Sequence, residues 1–146
     1  MRIVIDTNIW ISGLLWKGDG WRLLKLAEAG KIELCLAYPM VLELEEVLNY
    51  ERFQARLQML DVTSTQLAAY ALTLATALDV SRPHLPIVAA DPDDDIFLLC
   101  AVEARAVYVV TNDRHLLALK SYQGVGIVKL EDFLAQISTE LQYCGR

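Results

Sequence analysis

Residues 3–8 read IVIDTN. Ile3, Val4 and Ile5 are three consecutive β-branched residues, and an aspartate ends them. A run this short and this β-rich reads as a buried strand, which places Asp6 at the strand's carboxyl end. Residues 107–113, VYVVTND, repeat the pattern: Ala106–Val110 reads as a second buried strand with Asp113 just past it. Ile32–Leu36 is a further strand, Gly126–Leu130 the last, and His84–Ala89 a short one. Between them lie helices. Trp21–Ala29 is stopped by Gly30, and Pro39–Asn49 has its proline where a first turn tolerates it. Arg52–Met59 follows, then Ser64–Leu78 with Leu67, Tyr70, Ala71, Leu74 and Leu78 on one face. Ile96–Arg105, His115–Leu119 and Asp132–Ile137 complete the set. Strands separated by helices predict an α/β fold, a three-layer α/β/α sandwich around a central parallel sheet. The 146 residues suffice for one ordinary domain with a real core, and no repeat, low-complexity segment or linker divides them. Residues 1–146 are therefore read as a single domain.

That architecture gives the acidic residues a place. Ligands of open α/β sheets bind beyond the carboxyl ends of the strands, where Asp6 and Asp113 both fall. The stretch AADPDDDIFLLCA, residues 89–101, crowds Asp91, Asp93, Asp94 and Asp95 against the start of an apolar helix. One or two of these suit a cap and the positive end of the helix dipole. Four are more than a cap requires, and a cation is the usual remedy for their repulsion. Asp95 stands where the helix begins. Glu43 sits in the apolar helix AYPMVLELEEVL between Leu42 and Leu44, where a carboxylate is costly unless paired or metal-bound. Asp6, Glu43, Asp95 and Asp113 can converge on one site. Hard oxygen ligands of this kind suit Mg²⁺ or Mn²⁺, and the chain has no His/Cys cluster for zinc. A carboxylate-bound divalent pair activates a water and clamps a phosphodiester during in-line displacement. No Ser/His or Cys/His pair suggests a nucleophilic side chain instead.

Each acid also has a plainer reading. Asp6 suits a turn after a strand, Glu43 a partly exposed helix face like Glu45 and Glu46, and Asp113 a cap for the helix from His115. Asp95 suits an N-cap or first-turn acid, with Asp91, Asp93 or Asp94 sharing the work. His84 and His115 read as surface or packing residues. The combination, not any one position, favours a shared cation.

Composition narrows the classes. The chain is 55% hydrophobic, which argues against disorder. No segment reaches the roughly 18–20 apolar residues of a membrane span, and MRIVIDTNIW lacks the apolar core of a signal peptide. Cys35, Cys100 and Cys144 are odd in number and far apart, as in reduced cytosolic thiols. The net charge is −6 and the thirteen Lys and Arg residues are scattered. That argues against a high-affinity, sequence-independent nucleic-acid binder, but not against an enzyme whose acids hold metal ions.

These motifs, in this order and spacing, resemble PIN-domain ribonucleases over nearly the full chain. IVIDTNIWISGLL is similar to the family's opening strand and D-T-N motif. LELEEVL is similar to the helix with the second acid, and DPDDDIFLLCA to the third-acid motif beginning at Asp95. VYVVTNDRHLLAL matches the T-[GN]-D-x-x-L-L segment with the fourth acid, and GIVKLEDFLAQI the closing strand and helix. The resemblance implies a Mg²⁺- or Mn²⁺-dependent endonuclease of single-stranded RNA. Asp6, Glu43, Asp95 and Asp113 would be its metal-binding acids. Asn8 and Thr111 would orient them, with Asp94 and Asp91 as accessories. It also implies a cytoplasmic VapC-like toxin, a cognate antitoxin protein that blocks the site, and a homodimer. Trp10 and Trp16 suit either an exposed interface pair or core packing.

Three rival readings make different demands on these residues. A calcium loop from Asp91 fails at its sixth and twelfth positions, Ile96 and Val102. A haloacid-dehalogenase-type phosphatase needs an aspartate at position 8, which is Asn8. The remaining alternative is a PIN-fold binding module with little or no nuclease activity.

Overall fold

A computed structural model of the chain describes residues 1–80, 87–88 and 92–144. Its strands are β1 (Arg2–Ile5), β2 (Glu33–Ala37), β3 (Ala75–Leu78), β4 (Tyr108–Val110), β5 (Ser121–Tyr122) and β6 (Val125–Val128). They form one sheet in the order β3-β2-β1-β4-β6-β5. Every neighbouring pair is parallel except β5–β6. The helices are α1 (Thr7–Leu15), α2 (Asp19–Glu28), α3 (Tyr38–Leu48), α4 (Glu51–Leu60), α5 (Ser64–Leu74), α6 (Asp95–Glu103), α7 (Arg114–Leu117) and α8 (Leu130–Cys144). A 3₁₀ turn, Pro92–Asp94, leads into α6. This is a mixed α/β fold with a central, mostly parallel sheet flanked by helices.

The inner strands show why. Ile3, Val4 and Ile5 are all fully buried, as are Val109 and Val110. Successive strand residues face opposite sides, so both faces of β1 and β4 must be covered. The chain builds outward from β1 through β2 to β3, then returns to place β4 on the other side of β1. The strand order therefore reverses between β1 and β4. The register pairs Ile5 with Val110, so the two strands end level, with Asp6 and Thr111 as the next residues. That crevice is where open α/β sheets bind ligands.

Local signals set several boundaries. Gly30, at φ +73°, ends α2. Its amide reaches the Ala27 carbonyl, and the Lys31 amide the Leu26 carbonyl, the paired bonds of a Schellman cap. The Thr63 hydroxyl accepts from the Gln66 amide while the Gln66 side chain accepts from the Thr63 amide, a capping box that starts α5.

The structure also corrects the sequence reading. Residues 64–78 do not form one helix: α5 ends at Leu74, and Ala75–Leu78 pair in parallel with Leu34–Ala37 as β3. Alanine and leucine favour a helix locally, but a neighbouring strand outweighs propensity over four residues. Residues 7–15, whose sequence signals no element, are helix α1. Its near-continuous apolar sequence is buried on most sides, so it shows no helical period. The last strand is Val125–Val128 rather than Gly126–Leu130, and β5 precedes it across a turn with both Gln123 and Gly124 at positive φ, as a two-residue hairpin requires. Trp10 is buried and only Trp16 is exposed, so the two are not an exposed pair. The strand expected at 84–89 falls outside the described residues, apart from Ile87 and Val88. Among the described residues no helix is long and apolar enough to cross a membrane.

Candidate functional site

Asp6 leaves β1 and caps α1. Its Oδ1 accepts from the Ile9 amide at 2.9 Å, and its Oδ2 accepts from the Thr111 hydroxyl. Thr111 follows β4 and is fully buried. Its hydroxyl oxygen also accepts from the Asp113 amide at 2.9 Å. One threonine thus links the acid after β1 to the acid after β4. Asp113 Oδ1 in turn accepts from the amides of His115 and Leu116 and caps α7.

Glu43 comes from α3. Its Oε2 accepts from the Thr7 hydroxyl at 3.2 Å, so the second residue of the D-T-N motif orients the α3 carboxylate. The sequence reading did not single out Thr7, although its place beside Asp6 marks it. Asn8 is exposed at the rim.

These residues meet in a cleft of about 210 Å³ whose acids are Asp6, Glu43, Asp94 and Asp113, with Asn8, Tyr50 and Arg52 also on its wall. The acid that the α6 start contributes is Asp94. Asp95, the expected third acid, lies elsewhere. It is 1% exposed, and its carboxylate accepts from the Val88 amide at 2.7 Å and the Ile87 amide at 3.0 Å. It ties the incoming chain to the first turn of α6. Consecutive residues at a helix start point about 100° apart, and here Asp94 lines the cleft while Asp95 turns to the backbone amides. Asp93 lines a neighbouring depression with Glu43, Glu46 and Tyr50, and Asp91 lies outside the described residues.

Burial, and next the charge of Asp113, push the Asp6 carboxyl above its ordinary value; the bonds from Thr111 and Ile9 oppose this. Among the described residues no basic side chain pairs with Asp6 or Asp113; the three ion pairs join surface partners. The donor set is all oxygen, which in chemistry fits a hard divalent cation. In spacing, no three His, Cys, Asp or Glu side chains among the described residues stand drawn together as a finished cage. A cation would have to draw the carboxylates inward.

A larger cleft, about 550 Å³, lies beside α4 and α5. Six of its nine lining residues carry an amide or hydroxyl group, and Asp61 is its one acid. Chemistry rather than size therefore singles out the carboxylate cleft.

A family model described as a PIN domain matches residues 2–115. A sequence comparison with curated proteins finds no match. Several solved structures are similar in fold, among them these two. One is VapBC2 from Rickettsia felis bound to a DNA fragment from their promoter, with 13% identity, a TM-score of 0.59, and coverage of 88% of this chain and 98% of that one. The other is PAE2754 from Pyrobaculum aerophilum, with 16% identity, a TM-score of 0.54, and coverage of 95% and 99%. The matched residues contain β1, α3, α6, β4 and all four acids of the cleft, and the chain belongs to the PIN-domain family.

Proposed function

We propose that this chain is a divalent-metal-dependent endoribonuclease that cleaves single-stranded RNA, acting in the cytoplasm as the toxin of a toxin–antitoxin pair. The observation that carries the reading is the convergence of Asp6, Glu43, Asp94 and Asp113, from four separate elements, on one cleft at the switch point of the sheet. Four carboxylates gathered this way repel unless a cation is shared among them. Asp6, Glu43, Asp94 and Asp113 would hold Mg²⁺ or Mn²⁺, with Asp95 as an anchor of the α6 start rather than a ligand. A bound divalent ion supplies the Lewis acidity that activates water and offsets charge at a phosphodiester.

The chain's own residues do the positioning. Thr111 fixes Asp6 Oδ2 and the Asp113 backbone together, and Thr7 fixes Glu43. Asn8, at the rim, offers an amide to the substrate strand. Residues 1–146 are read as one domain, because β6 and α8 lie beyond the matched region, yet β6 extends the same sheet and α8 packs on α2. An antitoxin protein and a second copy of the chain are the expected partners. The absence of a finished cage among the described residues favours one alternative, a PIN-fold binding module without cleavage.

The test is calorimetric titration with Mn²⁺ alongside cleavage of an unstructured, end-labelled RNA. Binding and cleavage that vanish together in Asp6→Asn and Asp94→Asn support the nuclease. Wild-type protein that neither binds Mn²⁺ nor cuts RNA with it overturns the mechanism and leaves the binding module.

A further inference from the structure

We propose that Tyr50, Arg52, Arg56 and Trp16 form a strip that binds unpaired nucleic acid and feeds it to the carboxylate cleft; the destination of the strand rests on the nuclease reading above. Tyr50 is the residue that opens α4. Arg52 and Arg56 stand four residues apart on one face of that helix, with Phe53 between them. The Arg52 guanidinium lies 4.8 Å from the Phe53 ring centre and 5.6 Å from that of Tyr50. The Arg56 guanidinium lies 5.6 Å from the Trp16 ring centre, and its Nε donates to the Leu15 carbonyl at 2.7 Å. Trp16 meets Phe53 edge-on at 6.3 Å. Cations and rings therefore alternate along a surface built from the end of α1 and the start of α4.

Two features make this surface more than a set of scattered side chains. Tyr50 and Trp16 are 45% and 44% exposed although each is held in place by a guanidinium. Tyr50 and Arg52 also line the same cleft as the four acids, so the strip and the cleft are continuous. Among the described residues no carboxylate lies within ion-pair distance of Arg52 or Arg56. A chain of net charge −6 repels an anionic strand as a whole. Arg52 on the cleft wall and Arg56 one turn further along α4 supply the local attraction that the whole molecule lacks.

The chemistry of the ligand follows. A guanidinium stacked on a ring keeps in-plane N–H donors for a phosphate, and an exposed ring offers a face on which a base stacks. Unpaired nucleotides present both groups at once. A duplex hides its base faces in its own stack, so the strip selects single strands.

The test uses fluorescence anisotropy of a short labelled uridine oligonucleotide, and of its duplex with adenosine, in EDTA at two salt concentrations. The single strand should bind more tightly than the duplex. Arg52→Ala should weaken binding by about fivefold or more and reduce the salt slope by about one. Tyr50→Ala and Trp16→Ala should weaken it by about fivefold each with the slope unchanged. Lys31→Ala, which removes the same charge at the opposite end of the sheet, should have no effect. The three substituted positions, Tyr50, Arg52 and Trp16, are exposed, so folding is preserved. Wild-type affinity in the strip variants, equal affinity for duplex, or no binding by wild type overturns the strip. EDTA keeps cleavage out of the measurement. Strip-dependent binding without any metal-dependent cleavage would remove the nuclease reading and keep the strip. Cleavage that needs Asp6 but not the strip residues would do the reverse.

Discussion

In Asp95→Ala the amides of Ile87 and Val88 lose the carboxylate oxygens they donate to at 3.0 and 2.7 Å. Val88 is buried and Ile87 half-buried, so water replaces the second bond better than the first. A hydrogen bond to a charged group contributes about 1.5–3 kcal/mol. One bond lost in full and one in part give a destabilisation of about 3 kcal/mol. For a chain near 150 residues that is a fall of roughly 6–12 °C in Tm. Asp95→Asn should also destabilise, because its NH₂ group would face a backbone N–H. Asp94→Asn keeps the shape of a half-buried side chain and removes one charge from a crowded cleft, so its stability should stay within about 0.5 kcal/mol. Cation response should divide the other way. Mn²⁺ at about ten times its Kd adds about 1.4 kcal/mol to wild type, or roughly 3–6 °C. Asp95→Ala should keep that increment and Asp94→Asn should lose it. Thermal unfolding followed by circular dichroism, in EDTA and in Mn²⁺, reads both quantities. An Asp95→Ala protein with unchanged Tm and no Mn²⁺ response would refute the division of labour argued from the geometry.

Three further outcomes are expected. The folded state raises the Asp6 carboxyl above its ordinary value of 3.8 through burial and the Asp113 charge; the protonated form is favoured, so this contribution is fully present below that value and is lost as pH rises through the folded one. In EDTA the urea midpoint of Asp6→Asn relative to wild type should therefore climb as pH goes from about 3.5 to 7, and a flat difference would contradict the buried-acid account. Gly13→Ala should cost about 1–3 kcal/mol, because the added Cβ would stand 2.8 Å from the Gly20 carbonyl oxygen where α1 and α2 touch; chemical denaturation measures it. Arg105, at φ +55°, ends α6 in the conformation that glycine adopts without strain; Arg105→Gly should raise stability by about 0.5–1 kcal/mol, and a lower urea midpoint would contradict this.

Much of the fold was legible because its signals are local. Three β-branched residues at 3–5, the Gly30 stop and the proline of α3 each act within a few positions of chain. The missed elements are those whose cause lies elsewhere in the molecule. Residues 75–78 become a strand only because β2 stands beside them, and α1 shows no period because other elements cover it nearly all round. The strand at 121–122 is two residues long and exists through its hairpin with β6.

The same division runs through the site. From sequence alone came the alternation of strands and helices, the two aspartates at strand ends, and the all-oxygen character of the donors, since residue type and short-range spacing settle those. Only the tertiary structure decided that Thr111 joins Asp6 to the Asp113 segment, that Thr7 holds Glu43, and that Tyr50 and Arg52 stand at the same cleft. It also placed Asp94 on the cleft wall and turned the Asp95 carboxylate to the backbone amides of Ile87 and Val88. Adjacent residues of like chemistry are equivalent on paper. One helical step rotates them apart, and packing against Ile87 and Val88 determines which of the two carboxylates is turned inward to bind backbone and which is left facing the cleft.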